Sequence, residues 1–304
     1  MRDTCRVTIG SPAEMAGALD AQGYLADEGV ATAAYLAVAM RRPLLVEGDA
    51  GVGKTALAQA LAGVLAAPLI RLQCHEGIDA AQALYDWDFP RQLLHLRAAE
   101  AAGKAGDVDA VEHELYSRRF LVSRPLLQAI ETDPAVLLVD EVDRADDEFE
   151  AFLLEVLSDF TVSIPEIGTL RATTPPVVVV TSNRTREVHD ALKRRCLYHW
   201  VDHPSFEREV AIVRRRFPDV AEQLAAQVTG AVHRLRDAEL LKPPGVAETL
   251  DWTEALVAVG ATRLDPESAT RTLGAVLKYR EDVERVTRGP GGLAGMLAGA
   301  AGGG

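Results

Sequence analysis

The sequence predicts an α/β fold built on a five-stranded parallel sheet and followed by a helical region. Helix-forming segments alternate with short apolar runs, and from Pro204 to about Thr287 apolar residues recur mainly at helical spacing. Short continuous apolar runs are typical of strands that are buried on both faces of a parallel sheet. The five predicted strands are Pro43–Glu47, Leu69–Cys74, Ala135–Val139, Val177–Ser182 and Leu197–Val201.

Changes in composition along the chain predict four regions. They are an N-terminal helical segment (1–42), an α/β core (43–202), a helical region (203–288) and a flexible Gly-rich tail (289–304). The tail is predicted because its glycines and single proline disfavour an ordered element. Between the second and third strands, Glu76 to Thr132 is long for a simple crossover, which indicates an insertion.

Composition limits which partners the protein is expected to bind and in which cellular compartment it is expected to occur. The chain has 304 residues, 48% of them hydrophobic, but no apolar run approaches the roughly 20 residues that span a membrane. The net charge of −13 disfavours sequence-independent binding to nucleic acid, although it does not exclude a local basic patch. Three cysteines without CxxC spacing, and an N-terminus without an apolar signal core, favour a cytoplasmic location.

A P-loop, GDAGVGKT, follows the first predicted strand directly. In this motif consecutive backbone N–H groups curl around phosphate oxygens, Lys54 reaches the β- and γ-phosphates, and the Thr55 hydroxyl binds Mg²⁺. A helix predicted to open at Thr55 adds the positive end of its dipole. The predicted phosphate-binding residues are Gly48, Asp49, Ala50, Gly51, Val52, Gly53, Lys54, Thr55 and Ala56.

The third strand ends in two acids, in the sequence AVLLVDEVD. Asp140 is predicted to hold Mg²⁺ through its water shell, and Glu141 to polarise a water for attack on the γ-phosphate. The alternative is a solvated acidic helix start, because acids are favourable there. The upstream P-loop favours the metal and water roles, and the roles of Asp143 and Asp146 stay open.

Three further polar residues complete the predicted site. Asn183 follows the fourth strand, where a neutral amide can hold the attacking water or a γ-phosphate oxygen; by itself it would be read as a turn residue. Arg194 and Arg195 precede the fifth strand, where a guanidinium from a neighbouring subunit can stabilise transferring phosphoryl oxygens. A solvated helix end is the simpler explanation of the arginine pair alone.

Together these segments resemble an AAA+ ATPase. GDAGVGKT, LLVDEVDRAD, VVVVTSN and DALKRRCLYHW are similar, in order, to Walker A, Walker B, sensor 1 and the arginine finger of that family. The chain looks most like the MoxR group, and RLQCHEGIDAAQALYDWDFPRQLLHLR and KPPGVAETLDW resemble its CoxD-type branch, associated with carbon monoxide dehydrogenase and other molybdenum hydroxylases. The resemblance covers about residues 25 to 285.

The resemblance implies an αβα sandwich, a C-terminal helical lid, a hexameric ring and a β-hairpin in FTVSIPEIGTLRATTPP. It also implies ATP and Mg²⁺ as cofactors, with Glu141, Asn183 and Arg195 supporting hydrolysis and Arg194 as the second choice of finger. The implied partners are a von Willebrand factor A-domain protein and a metal-containing client enzyme whose maturation this protein would assist. From charge and hydropathy, neither a nucleic-acid partner nor membrane insertion is expected.

The sequence departs from the family pattern at two places. Glu248 and Thr249 stand where a sensor 2 arginine is expected, and KRRC lacks the aspartate and phenylalanine of the usual finger motif. The first departure supports an alternative function, a slowly hydrolysing, nucleotide-gated binding switch or scaffold.

Three aromatic residues alternate with acids in LYDWDFP. Tyr85, Trp87 and Phe89 are interpreted either as an exposed partner or pore contact or as a strand face that packs on the core.

Overall fold

The computed structural model describes residues 9–101, 108–288 and 292–298. They form two compact units. The first unit contains the chain up to Ala18, Asp27–Glu47 and Leu57–His199. The second contains Leu19–Ala26, Gly48–Ala56 and the chain from Trp200 onward. The P-loop therefore belongs to the second unit.

A five-stranded parallel sheet organises the chain. Its strands are β1 (Leu44–Gly48), β2 (Leu69–Gln73), β5 (Val136–Asp140), β8 (Val177–Ser182) and β9 (Leu197–Val201). They lie side by side in the order β2-β5-β8-β1-β9. Every residue of β1 and β5 is buried, which explains why the sequence shows continuous apolar runs rather than alternation. The predicted fold class and all five strands are confirmed, with ends shifted by at most one residue.

Four shorter strands form two small antiparallel sheets. They are β3 (Tyr85–Trp87) with β4 (Leu121–Ser123), and β6 (Thr161–Ile164) with β7 (Gly168–Arg171). The second pair is the predicted hairpin, which is therefore confirmed.

Helices surround the sheet in the first unit and make up most of the second. In chain order they are α1 (Pro12–Ala21), α2 (Glu28–Met40), α3 (Lys54–Val64), α4 (Ala80–Ala83), α5 (Phe89–Ala101), α6 (Val108–Leu115), α7 (Pro125–Glu131), α8 (Asp147–Asp159), α9 (Asp190–Arg195), α10 (Phe206–Arg216), α11 (Glu222–Arg236), α12 (Val246–Ala258), α13 (Pro266–Val276), α14 (Arg280–Arg288) and α15 (Gly292–Ala298). Two 3₁₀ turns, Arg118–Phe120 and Val142–Arg144, lie between them. None of the described helices combines the length and the apolar composition that a membrane span requires.

The segment between β2 and β5 has its own secondary structure, as the predicted insertion requires. It contains α4 to α7 and the two-stranded sheet of β3 and β4. Tyr85 and Trp87 are partly buried and pack against the core of the first unit, so the core-packing interpretation holds for them. Phe89 differs, because it opens α5 with 61% of its surface exposed.

The predicted flexible tail is wrong for Gly292–Ala298, which form α15. Leu293 and Leu297, four residues apart, are buried in the core of the second unit together with Trp252 and Leu256. Burial of leucine side chains favours a helix that glycine-rich composition alone disfavours. The rest of that tail, 289–291 and 299–304, lies outside the described residues, as does 1–8. The other predicted domain boundaries stay predictions.

Candidate nucleotide-binding site

The P-loop in the second unit curls tightly around its own lysine. The loop turns through Gly51 and Gly53, whose φ angles of 80° and 99° lie in the left-handed region that glycine adopts without strain. Helix α3 begins at Lys54, one residue before the predicted start. Lys54 is buried, and its Nζ donates to the carbonyl oxygens of Gly48 at 2.7 Å and Asp49 at 2.6 Å. The ammonium group is thus held within the loop.

A histidine from the second unit lies beside the same loop. Nε2 of His203 is 3.4 Å from Oδ2 of Asp49. Burial lowers the pKa of His203 below its ordinary value, and the positive charge of Arg236 lowers it further, against the opposing carboxylates of Asp49 and Glu209.

Asp140 ends β5 in the first unit with both carboxylate oxygens hydrogen-bonded. Oδ1 accepts from Oγ1 of Thr181 at 2.5 Å, and Oδ2 accepts from Nε and Nη2 of Arg71 at 3.0 and 2.6 Å. The side chain is almost fully buried. Donors on both neighbouring strands therefore fix the direction of the carboxylate, as outer-shell partners do for metal ligands.

Glu141 follows with a left-handed backbone, at φ 56° and ψ 50°, which costs a non-glycine residue about 1 kcal/mol or more. Its backbone N–H donates to Oγ1 of Thr181 at 2.9 Å. One carboxylate oxygen accepts from Nε2 of Gln73 at 3.0 Å and from Nη1 of Arg144 at 3.3 Å, and the other accepts from Nδ2 of Asn183 at 3.4 Å. The structure thus brings the two predicted residues Glu141 and Asn183 together.

The two acids with open roles have structural partners. Oδ1 of Asp143 accepts from the backbone N–H of Asn183 at 3.2 Å, and Oδ2 accepts from the backbone N–H and hydroxyl of Thr185 at 2.8 and 2.6 Å. Asp143 is buried and anchors the chain where it leaves β8. Asp146 caps α8, because its side chain accepts from the backbone N–H of Phe149.

The predicted finger arginines lie at the C-terminal end of α9, and both are exposed. The guanidinium of Arg195 donates to the hydroxyl of Ser158 on α8. The side chain of Arg42 donates from Nη2 to the carbonyl oxygens of Arg194 and Arg195, at 3.1 Å each, and of Cys196 at 3.4 Å. Arg42 therefore caps the helix that carries both arginines, where a positive charge is also favourable.

Sequence reasoning missed the residues that hold the acids. Arg71 and Gln73 are two residues apart on β2, so they share one face of an otherwise apolar strand. That pair of polar residues was the available signal. The contacts of Thr181 and Arg42 join distant segments and carry no comparable local pattern.

A parallel sheet whose first strand leads into a P-loop, and whose third strand in sequence order ends in paired acids, defines a P-loop nucleotide-binding protein of the α/β class. The AAA domain family (dynein-related subfamily) matches residues 43–196, just over half of the chain. The chain belongs to this family.

The chain is also similar to solved structures of a Holliday junction branch migration motor, RuvB of Thermotoga maritima. One has 18% sequence identity and a TM-score of 0.49, covering 91% of this chain and 82% of that chain. A mutant form has 16% identity and a TM-score of 0.48, covering 96% and 85%. None of the curated proteins is significantly similar in sequence.

Proposed function

We propose that this chain is a Mg²⁺-dependent ATPase that hydrolyses ATP to ADP and phosphate. The observation that carries the proposal is the environment of Glu141. Amide groups of Gln73 and Asn183 hold its two carboxylate oxygens, yet 32% of the side chain is exposed, against 4% for Asp140. A carboxylate that is oriented by donors and open to water is suited to act as general base for an attacking water.

The donors present fit a nucleotide with Mg²⁺. Lys54 bonds two carbonyls of the P-loop, which places a cation where phosphate oxygens are expected. Thr55 and Asp140 offer the oxygen ligands that Mg²⁺ prefers, with Asp140 acting through the water shell. When bound, the ion neutralises charge on the β- and γ-phosphates.

Assembly is the next part of the proposal. Arg195, with Arg194 as the second choice, acts in the site of a neighbouring subunit of a ring, which we propose to be a hexamer. Exposure of both arginines and the Arg42 cap on α9 support this role, and reaching a neighbour requires Arg195 to leave Ser158. In this proposal residues 43–202 are the nucleotide-binding core and 203–288 the helical lid.

The proposed cellular role is that of a MoxR-like remodelling factor of the CoxD type. It acts in the cytoplasm with a von Willebrand factor A-domain partner on a metal-containing client, of which a molybdenum hydroxylase is the proposed class. The support is the likeness of the segments around Cys74 and Gly245 to that branch.

A specific observation favours the alternative, a nucleotide-gated switch that hydrolyses slowly. The two residues at the sensor 2 position supply no positive charge. Glu248 accepts a hydrogen bond from the backbone N–H of Gly245, and Thr249 donates to Glu209.

ATP turnover and ATP affinity of wild type, Glu141→Gln and Arg195→Ala separate the two functions. We expect Glu141→Gln to retain ATP and to lose about 100-fold or more in turnover, because the general base is gone. Arg195→Ala should lose hydrolysis but not binding. Glu155→Gln, an exposed change on α8, is the matched control.

Undiminished turnover in both variants would contradict the ATPase mechanism. Negligible wild-type turnover together with tight ATP binding, even with a partner present, would support the switch.

A further inference from the structure

The first turn of α12 contacts the P-loop through backbone atoms. The N–H of Ala247 donates to the carbonyl oxygen of Gly51, with 3.1 Å between nitrogen and oxygen. A Cβ atom added at Gly245 would lie 2.6 Å from the carbonyl oxygen of Ala50 and 2.9 Å from Cα of Gly51. Both neighbours are backbone atoms of the loop, so a side chain at Gly245 would displace the loop itself.

The contact also leaves no room for a side chain on the loop. Gly51 has a φ of 80°, and a Cβ atom there would lie 2.8 Å from Oε2 of Glu248 and 3.3 Å from Cα of Gly245. Each glycine therefore permits the approach of the other.

A buried polar network holds the segment that makes this contact. Nε of Arg236 donates to the carbonyl oxygen of Pro244 at 2.7 Å, and its terminal nitrogens donate to both carboxylate oxygens of Glu209 at 2.7 and 2.8 Å. Oγ1 of Thr249 donates to Glu209 at 2.5 Å. Glu209 is completely buried, and such a network keeps its geometry because each charged group depends on its partner.

The end of the segment is fixed locally. Oε2 of Glu248 accepts from the N–H of Gly245 at 2.9 Å. The Glu248 carboxylate is thus hydrogen-bonded within the helix start itself. The hydrogen bond between the helix start and Gly51 is made by backbone atoms.

We propose that the helix start Gly245–Glu248 positions the P-loop: it holds Gly51 in the conformation that binds phosphate. The helical part of the second unit thereby sets nucleotide affinity without contributing a cation. This inference rests on one part of the proposed function, which is that the P-loop binds the phosphates of a nucleotide. Apparent affinity falls in proportion to the fraction of loops in the competent conformation, so a decrease of that fraction to about one tenth weakens binding about tenfold.

The test is the dissociation constant for ATP with Mg²⁺, measured by calorimetry on the full chain, for wild type, Gly245→Ala and Gly245→Val. We expect binding to weaken about tenfold for alanine and further for valine. Gly274→Ala is the matched control, because a Cβ atom at Gly274 meets no atom within 4 Å. It should bind within about twofold of wild type.

Thermal unfolding without nucleotide separates positioning from a purely structural role. A variant of Gly245 that unfolds at lower temperature but binds ATP as wild type does would overturn the inference. If the Gly245 variants do not fold, Glu248→Ala adds no atoms and frees the N–H of Gly245. It should weaken ATP binding and raise amide hydrogen exchange at residues 48–53, and an unchanged affinity would overturn the inference.

The proposed function can fail separately. A wild type that binds ATP without hydrolysing it would contradict the ATPase and leave the positioning role supported if the Gly245 variants bind weakly. If the wild type hydrolyses ATP and the Gly245 variants bind ATP as tightly as wild type does, the ATPase is supported and the positioning role is contradicted.

Discussion

The side-chain amide of Gln73 donates to Oε2 of Glu141, with 3.0 Å between nitrogen and oxygen. The oxygen of the same amide accepts from Nη2 of Arg71, which also bonds Asp140. Both the oxygen and the nitrogen of the Gln73 amide are therefore hydrogen-bonded. Strand β2, at the edge of the sheet, holds both Asp140 and Glu141 through the side chains on one of its faces.

From this relationship we predict that Gln73→Ala lowers kcat about tenfold while the affinity for ATP stays near wild type, because Glu141 loses one of its orienting donors. Steady-state ATPase assays with a separate binding measurement check the prediction. Gln82→Ala, an exposed change on α4, controls for loss of a glutamine elsewhere. Equal kcat in Gln73→Ala and wild type would show that the contact does not position the base.

Arg42 offers a second prediction, because its guanidinium bonds the last carbonyl groups of α9. Arg42→Ala should reduce turnover and leave ATP binding intact, since the end of the helix that carries Arg194 and Arg195 loses its cap. Arg42→Lys should restore only part of the activity, because an ammonium group keeps the charge without the fork of donors. ATP turnover of the Arg42 variants tests the prediction, with Arg41→Ala, a change at the adjacent exposed arginine, as the control. If turnover falls as much in Arg41→Ala, the effect comes from the loss of a positive charge and not from the loss of the cap.

The lowered pKa of His203 predicts a pH dependence of stability. The unfolded chain takes up the proton near the ordinary pKa of 6.5, whereas the folded chain takes it up only at lower pH. Between these values the unfolded state binds more protons, so the stability that neutral His203 permits is present above 6.5 and is lost as pH falls through the window.

His203→Gln should therefore make the free energy of unfolding less dependent on pH on the acidic side. Urea unfolding between about pH 5 and pH 8 measures this. The exposed His113→Gln should keep the wild-type profile, and an unaltered profile in His203→Gln would mean that other groups dominate.

Two cysteines are predicted to be inert in the native protein. Burial raises the pKa of Cys74 to about 12, with a further contribution from Asp140, and burial raises that of Cys196 to about 12 against the opposing charge of Arg42. Because the thiolate is the reactive form, iodoacetamide at neutral pH should label neither until the chain is unfolded. Peptide mass spectrometry with and without guanidinium decides, and equal labelling under both conditions would contradict the prediction.

The sequence was informative where burial leaves a local pattern. The strands were predictable because runs such as Val136 to Val139 are buried throughout, which requires consecutive apolar residues. The P-loop was predictable because phosphate binding itself requires its spacing of glycines, lysine and threonine. By contrast, α15 could not be predicted, because Leu293 and Leu297 have a reason to form a helix only once the core containing Trp252 is in place.

The contacts that organise the candidate site were also out of reach of sequence patterns. Nothing near Gly245 indicates that it approaches Gly51, and nothing near Arg42 indicates that it bonds the carbonyl groups of Arg194 and Arg195. Such contacts depend on the packing of segments far apart in the chain, and composition and periodicity carry no information about them.

The bonds of Asp143 to the chain after β8 affect how mutational data on this protein should be interpreted. Removal of this carboxylate frees the backbone of Asn183, and the resulting defect would resemble the loss of the Asn183 amide itself. A screen scored by activity alone would then assign a chemical role to Asp143, although Asp143 only holds the backbone after β8 in place. Restoring backbone order without restoring the acid, for example by a proline or a shortened loop near Thr185, would tell the two apart.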